Sequence, residues 1–166
     1  MVNRLSLFSS FALLSAGLYL VPTLHTEAAE ASKPVAKVAN VGALVKYRQN
    51  AMEIMGKSNK AIKSVVAGDV AYPEQLVVYA QTLDALAHTI PSLYPEGTGP
   101  GAAKTEAKAN IWTEQEKWKA ANDRMIQETG KLVEVVKGGD MKAIAAQQMA
   151  VGKSCGGCHD LFRVEE

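Results

Sequence analysis

The chain of 166 residues predicts an all-α fold, an up-down-up-down antiparallel four-helix bundle. Three observations carry that prediction. Apolar residues recur at helical spacing over four long segments. Gly and Pro mark the places where those segments stop. Strand signals are weak: Val65-Val66 and Val135-Val136 are β-branched pairs inside longer helical patterns, and only Leu76-Val77-Val78-Tyr79 reads as a candidate strand.

Before the first helix, the chain reads as an export signal. Arg4 supplies a positive charge, and Leu5 to Val21 is an almost uncharged apolar run. The small residues Ala28, Ala29 and Ala31 that follow fit signal-peptidase cleavage. Residues 1–31 are therefore expected to be removed, with Ala29-Glu30-Ala31 the preferred site, leaving one domain over 32–166. The run is about 17 residues long, at the short limit for spanning a bilayer, so no stable membrane span is expected after cleavage.

The first helix is predicted over about Val41 to Val66, with Leu44, Val45, Met52, Met55, Ile62 and Val65 at helical spacing before Gly68-Asp69. The second begins near Pro73, a favourable first-turn residue, and runs to about Thr89 with Val77, Val78, Leu83 and Leu86 on its apolar stripe. Pro91 stops it. A Gly- and Pro-rich connection from Ile90 to about Asn110 is read as irregular, crossing an end of the bundle. The third helix is expected over Ile111 to Val136, closed by Gly138-Gly139. Asp140 is a good N-cap for the fourth, Met141 to about Val164.

Charge excludes some functions. Taking Arg4, Glu27 and Glu30 from 18 basic and 17 acidic residues leaves a balance of about +2, with no electrostatic footprint for nucleic acid. No nucleophile–base arrangement or carboxylate cluster points to an enzyme.

Both cysteines of the chain lie in Cys155-Gly156-Gly157-Cys158-His159, the attachment signature of a c-type haem. Positions i and i+3 share a helical face, so two thiols can form thioethers to one macrocycle while the adjacent imidazole supplies an axial ligand. One haem c per chain, bound through Cys155 and Cys158 with His159 on the iron, is the expected cofactor. A tetrahedral zinc site needs a second ligand pair that the chain lacks. A thioredoxin-like disulfide needs a strand context that is also missing. A haem-free bundle with a redox-active Cys155–Cys158 pair is the remoter alternative.

Bundle order places the first half of helix one beside the end of helix four, so Met52 becomes the leading candidate to face the iron opposite His159. Met55, one turn on, is its rival. Both can also be read as apolar filling, since methionine adapts to irregular gaps. Trp112 and Trp118 are read as core, and His88 as a helix-terminal residue.

Several segments together resemble the class II c-type cytochromes, the cytochrome c′ and cytochrome c-556 family. They are Val45 through Met52 (VKYRQNAM), the loop Tyr94-Pro95-Glu96-Gly97-Thr98-Gly99, Ile111-Trp112, and Gly152 through Arg163. The resemblance implies a four-helix bundle, often a homodimer. It places Met52 at the distal position, which holds a coordinating Met in the c-556 type and usually a bulky non-coordinating residue in the c′ type. Arg48 and Gln49 fall where the family keeps groups near the haem propionates, and a guanidinium suits a carboxylate there. Arg163, four residues after His159, is expected on the same helical face, where the family carries a basic residue near the proximal side.

Two functions follow. One is a periplasmic electron carrier with low-spin His159/Met52 ligation, exchanging electrons with redox partner proteins. The other is a five-coordinate cytochrome c′ that binds nitric oxide or carbon monoxide behind a non-bonding Met52. The sequence alone favours the carrier, because a thioether over iron is a competent ligand.

Overall fold

The structure, a computed structural model, describes residues 40–164; the expected signal peptide and its cleavage site lie outside them. Helix α1 spans Val41–Ala67. Asn40 opens it by accepting the Ala43 N–H at 2.9 Å, as a good N-cap does. Gly68 closes it at φ 79°, a left-handed conformation that costs a glycine nothing. Its buried face runs Val45, Arg48, Ala51, Met55, Ser58, Ile62, Val65.

Helix α2 spans Leu76–Thr89, preceded by a 3-10 turn at Pro73–Gln75 and followed by another at Ile90–Leu93. Its buried face is Leu76, Ala80, Leu83 and Ala87. This corrects the predicted stripe: Val78 is exposed, and Val77 and Leu86 are half-buried. Two alanines carry the contact, because a small side chain lets neighbouring helices approach closely.

The predicted third helix is broken. A single turn, α3 (Asn110–Thr113), is separated from α4 (Gln115–Gly138) by Glu114 at φ −116° and ψ 53°. The Trp112 indole N–H lies 3.1 Å from Tyr94 O and 3.0 Å from Pro95 O. That tie holds α3 to the preceding loop, while α4 follows the bundle axis. Gly139, at φ 73°, ends α4. Asp140 Oδ1 then accepts the Lys142 and Ala143 N–H groups at the start of α5 (Met141–Phe162).

α1, α2, α4 and α5 form the four-helix bundle. Each packs on its sequence neighbours, and α1 closes the ring against α5 along the sparsest seam. Ile62, Leu83, Leu132 and Val151, one from each helix, are almost wholly buried. No strand occurs among the described residues; Ala107 and Arg163 form an isolated antiparallel bridge. No described helix is long and apolar enough to cross a membrane.

Candidate functional site

A cavity of about 450 Å³ opens where α1 and α5 are least tightly joined. Its size falls within the range of about 300–1,000 Å³ usual for cofactor sites. Arg48, Gln49, Met52, Glu53 and Gly56 line it from α1. These are successive positions on one helical face. Cys158 and His159 face it from α5, with Phe162 and Arg163 following. The predicted approach of the first half of helix one to the end of helix four is what builds this space.

Met52 and Met55 are separated cleanly. Met52 is partly buried and lines the cavity, whereas Met55 is buried in the core and does not. Gly56, one turn beyond Met52, would have nothing within 4 Å of an added Cβ. The α1 wall is therefore a thioether beside open space. Ile111, Trp118 and Phe162 supply apolar surface on other sides. Trp118 meets Phe162 edge-on at 5.2 Å between ring centroids and Tyr94 at 4.8 Å. These rings exclude water from the inner end.

Arg48 is not the solvated helix charge that its type suggests: only 1% of it is exposed. Its Nη2 donates to Thr98 O and to Thr105 Oγ1, both at 2.9 Å, and Nη1 donates to Thr98 Oγ1 at 3.3 Å. The guanidinium carbon lies 4.6 Å from the Tyr94 ring centroid and 5.8 Å from that of Trp112, within cation–π range. Burial lowers its pKa, and burial raises that of the Tyr94 phenol, against the pull of Arg48. Gln49 is exposed on the cavity rim.

The last carbonyls of α5 are capped from the connection that precedes α3 and from the first residue of α3, after one last bond from the C-cap residue of α5 itself. His159 O accepts from Arg163 N at 2.9 Å. Asp160 O takes Lys108 Nζ at 3.0 Å, and Leu161 O takes Asn110 Nδ2 at 3.1 Å. Phe162 O takes Lys108 N at 2.8 Å. Three carbonyls that a helix end leaves unpaired, those of Asp160, Leu161 and Phe162, are thus satisfied from outside α5, and the segment carrying His159 is held firmly. Arg163 departs from expectation here. The helix has already ended, and Arg163 sits at φ −112° and ψ 137°, so its place on the cavity wall comes from extended chain. Its Nε donates to Glu106 Oε2 at 2.6 Å.

Cys155, one turn before Cys158, is half-buried against the core. Burial pushes both thiols up, that of Cys158 to about 11. A redox-active pair works as thiolate at a lowered pKa, so this environment argues against that alternative. Burial, then the Arg163 charge, lower the His159 imidazole, while Asp160 and Glu106 act in the opposite direction. The donor set fits a covalently held haem: a thiol and an imidazole on one wall, apolar and aromatic surface around the space, and the guanidinium groups of Arg48 and Arg163 lining it. His88 is exposed, 3.8 Å from Asp84, and does not line the cavity.

Sequence reasoning did not single out Tyr94, Thr105, Glu106 or Phe162. Tyr94 stood in a recognisable segment, and Phe162 lies three residues from His159 on the same helix. Nothing in a single sequence marks Thr105 or Glu106.

Comparisons with known proteins agree with this geometry. The family model described as Cytochrome C′ matches residues 43–163. Cytochrome c′ of Rhodospirillum rubrum is 35% identical over 138 residues, covering 83% of this chain and 93% of that protein. Cytochrome c-556 of Rhodopseudomonas palustris is 30% identical over 129 residues, covering 74% and 84%. A ferrous variant of cytochrome c prime from Alcaligenes xylosoxidans, solved with bound NO, superposes with a TM-score of 0.71 at 26% identity, covering 78% of this chain and all of that one.

Proposed function

Because the chain belongs to the cytochrome c′ family, whose haem c is held covalently, we propose that its haem is five-coordinate and takes nitric oxide or carbon monoxide on the face covered by Met52. The observation that carries this reading is the α1 wall: Met52 lines the cavity beside the open space at Gly56. The likeness to cytochromes c′, one of them solved with bound NO, supports it. The preference for a low-spin His159/Met52 carrier, drawn from ligand competence alone, is not supported by these comparisons.

Cys155 and Cys158 would hold the haem and His159 would ligate its iron, which would supply a site able to take a diatomic gas. The chain's own residues do the rest. The capped end of α5 orients the His159 imidazole. Met52, on the α1 wall, would cover the bound group with a flexible apolar side chain that a small neutral ligand could displace. Tyr94, Trp118 and Phe162 keep that space dry. Gln49 stands at the rim and the buried Arg48 lines the wall behind it, the two residues that would hold the propionates. Export to the periplasm, resting on the apolar N-terminal run, belongs to the same reading. So does a homodimer, for which exposed Tyr47, Ile54 and Val78 on α1 and α2 provide apolar surface.

An optical titration of the purified holoprotein tests the assignment. A high-spin reduced spectrum that changes on adding carbon monoxide is expected. A sharp low-spin α-band unaffected by carbon monoxide would return the protein to the carrier class.

A further inference from the structure

The two residues that follow α5 are held by one residue of the loop before α3. Glu106 O accepts the Val164 N–H at 2.7 Å, and Glu106 Oε2 accepts Arg163 Nε at 2.6 Å. Between these contacts Ala107 and Arg163 form their antiparallel bridge. Glu106, Arg163 and His159 all line the same cavity. An exposed ion pair ordinarily gains little, because ordering two long side chains offsets the attraction. Here the backbone bridge has already fixed both Cα positions, so less freedom is lost when the pair forms. The bond is made by Nε, a donor that lysine lacks.

We propose that Glu106 is a positioning residue: it holds the Arg163 guanidinium beside His159 and thereby sets the charge that the attached haem experiences from this side. The proposal rests on His159 as the haem's axial residue and is independent of whether Met52 bonds the iron. A positive charge near the iron favours the reduced state, which carries one more electron, and a carboxylate favours the oxidised one. Glu106 therefore does two things. It contributes its own negative charge, and it keeps a neighbouring positive charge paired and in place.

The test is the reduction potential of the holoprotein at low ionic strength, where half-exposed charges are least screened. Glu106→Gln keeps the backbone bridge but leaves Arg163 unpaired. The potential is expected to rise, but to rise less in the parent than in an Arg163→Gln background, because in the parent the freed guanidinium carries its positive charge away from His159. Glu106→Asp keeps the charge but is one methylene too short to hold the bond, and it is expected to lower the potential, because the carboxylate stays while the guanidinium is released. Equal shifts in both backgrounds, or an unchanged potential in Glu106→Asp, would overturn the proposal. Because the potential can be measured for either axial ligation, a carbon monoxide titration that fails would count against the proposed function and leave this result untouched.

Discussion

Arg48 Nη2 donates to Thr105 Oγ1 at 2.9 Å, across 57 residues of chain. The next residue, Glu106, takes the guanidinium of Arg163. Two adjacent loop residues thus tie the α1 wall of the cavity to the α5 wall, each through an arginine. The loop over the open seam is therefore held at both sides by charge-assisted bonds, which are the stronger kind.

The first prediction concerns the α1 side of that loop. Arg48→Lys keeps the charge but loses the planar fork that reaches Thr98 and Thr105 together. With hydrogen bonds to charged groups contributing about 1.5–3 kcal/mol each and a buried ammonium left under-paired, a loss of about 2–3 kcal/mol is expected in urea unfolding. Protease cleavage within residues 94–109 should increase in parallel. A loss below about 0.5 kcal/mol would show that the buried guanidinium does not support the loop.

Met52 and Met55 should part company. Met55 lies in the core, 5% exposed, and Met55→Ala should cost about 2–5 kcal/mol as a large-to-small core change. Its carbon monoxide association rate should match the parent's. Met52, half-buried on the cavity wall, should cost less than about 1.5 kcal/mol on truncation to Ala, yet speed carbon monoxide association by removing the cover. Stopped-flow rates and denaturation curves on both variants check the pair. The reverse pattern would move the distal role to Met55.

Acid stability should report the tie between α4 and α5. Gln147 Nε2 donates to Glu128 Oε2 at 2.7 Å and to Glu128 O at 3.0 Å, and Lys131 bonds Oε1. The Gln147 bond first, and then Lys131, hold the Glu128 carboxyl below its ordinary 4.5. A carboxylate depressed on folding stabilises the native state above its unfolded pKa and ceases to do so as pH falls through the folded value. Glu128→Gln should therefore flatten the fall in stability below about pH 4.5 and leave the slope near neutrality unchanged. Equal slopes for parent and variant across the acid range would remove Glu128 from the account.

Much of this site was legible in one sequence because its chemistry is local. Cys155, Cys158 and His159 lie within one turn and a half of helix, so spacing alone brings two thiols and an imidazole together. Met52 followed from bundle order, which depends only on helix count and loop length. Arg163 was placed on the right wall for the wrong reason. The sequence pattern carried α5 two residues too far, since nothing in it shows that Ala107 will pair with Arg163. The break at Glu114 was hidden in the same way, because Trp112 finds its acceptors in a loop 17 and 18 residues earlier.

By itself, the sequence determined the four helices, the covalent haem attachment and the wall that Met52 would occupy. Periodicity, caps and a five-residue motif all act within a few residues of one another. Tertiary structure alone decided what Arg48 and Arg163 do. A guanidinium's partner is whichever oxygen the fold brings within about 3 Å, and here those oxygens belong to Thr98, Thr105 and Glu106, some 50 to 57 residues away along the chain. Contacts at that separation are set by how the loop crosses the bundle, which no local pattern encodes.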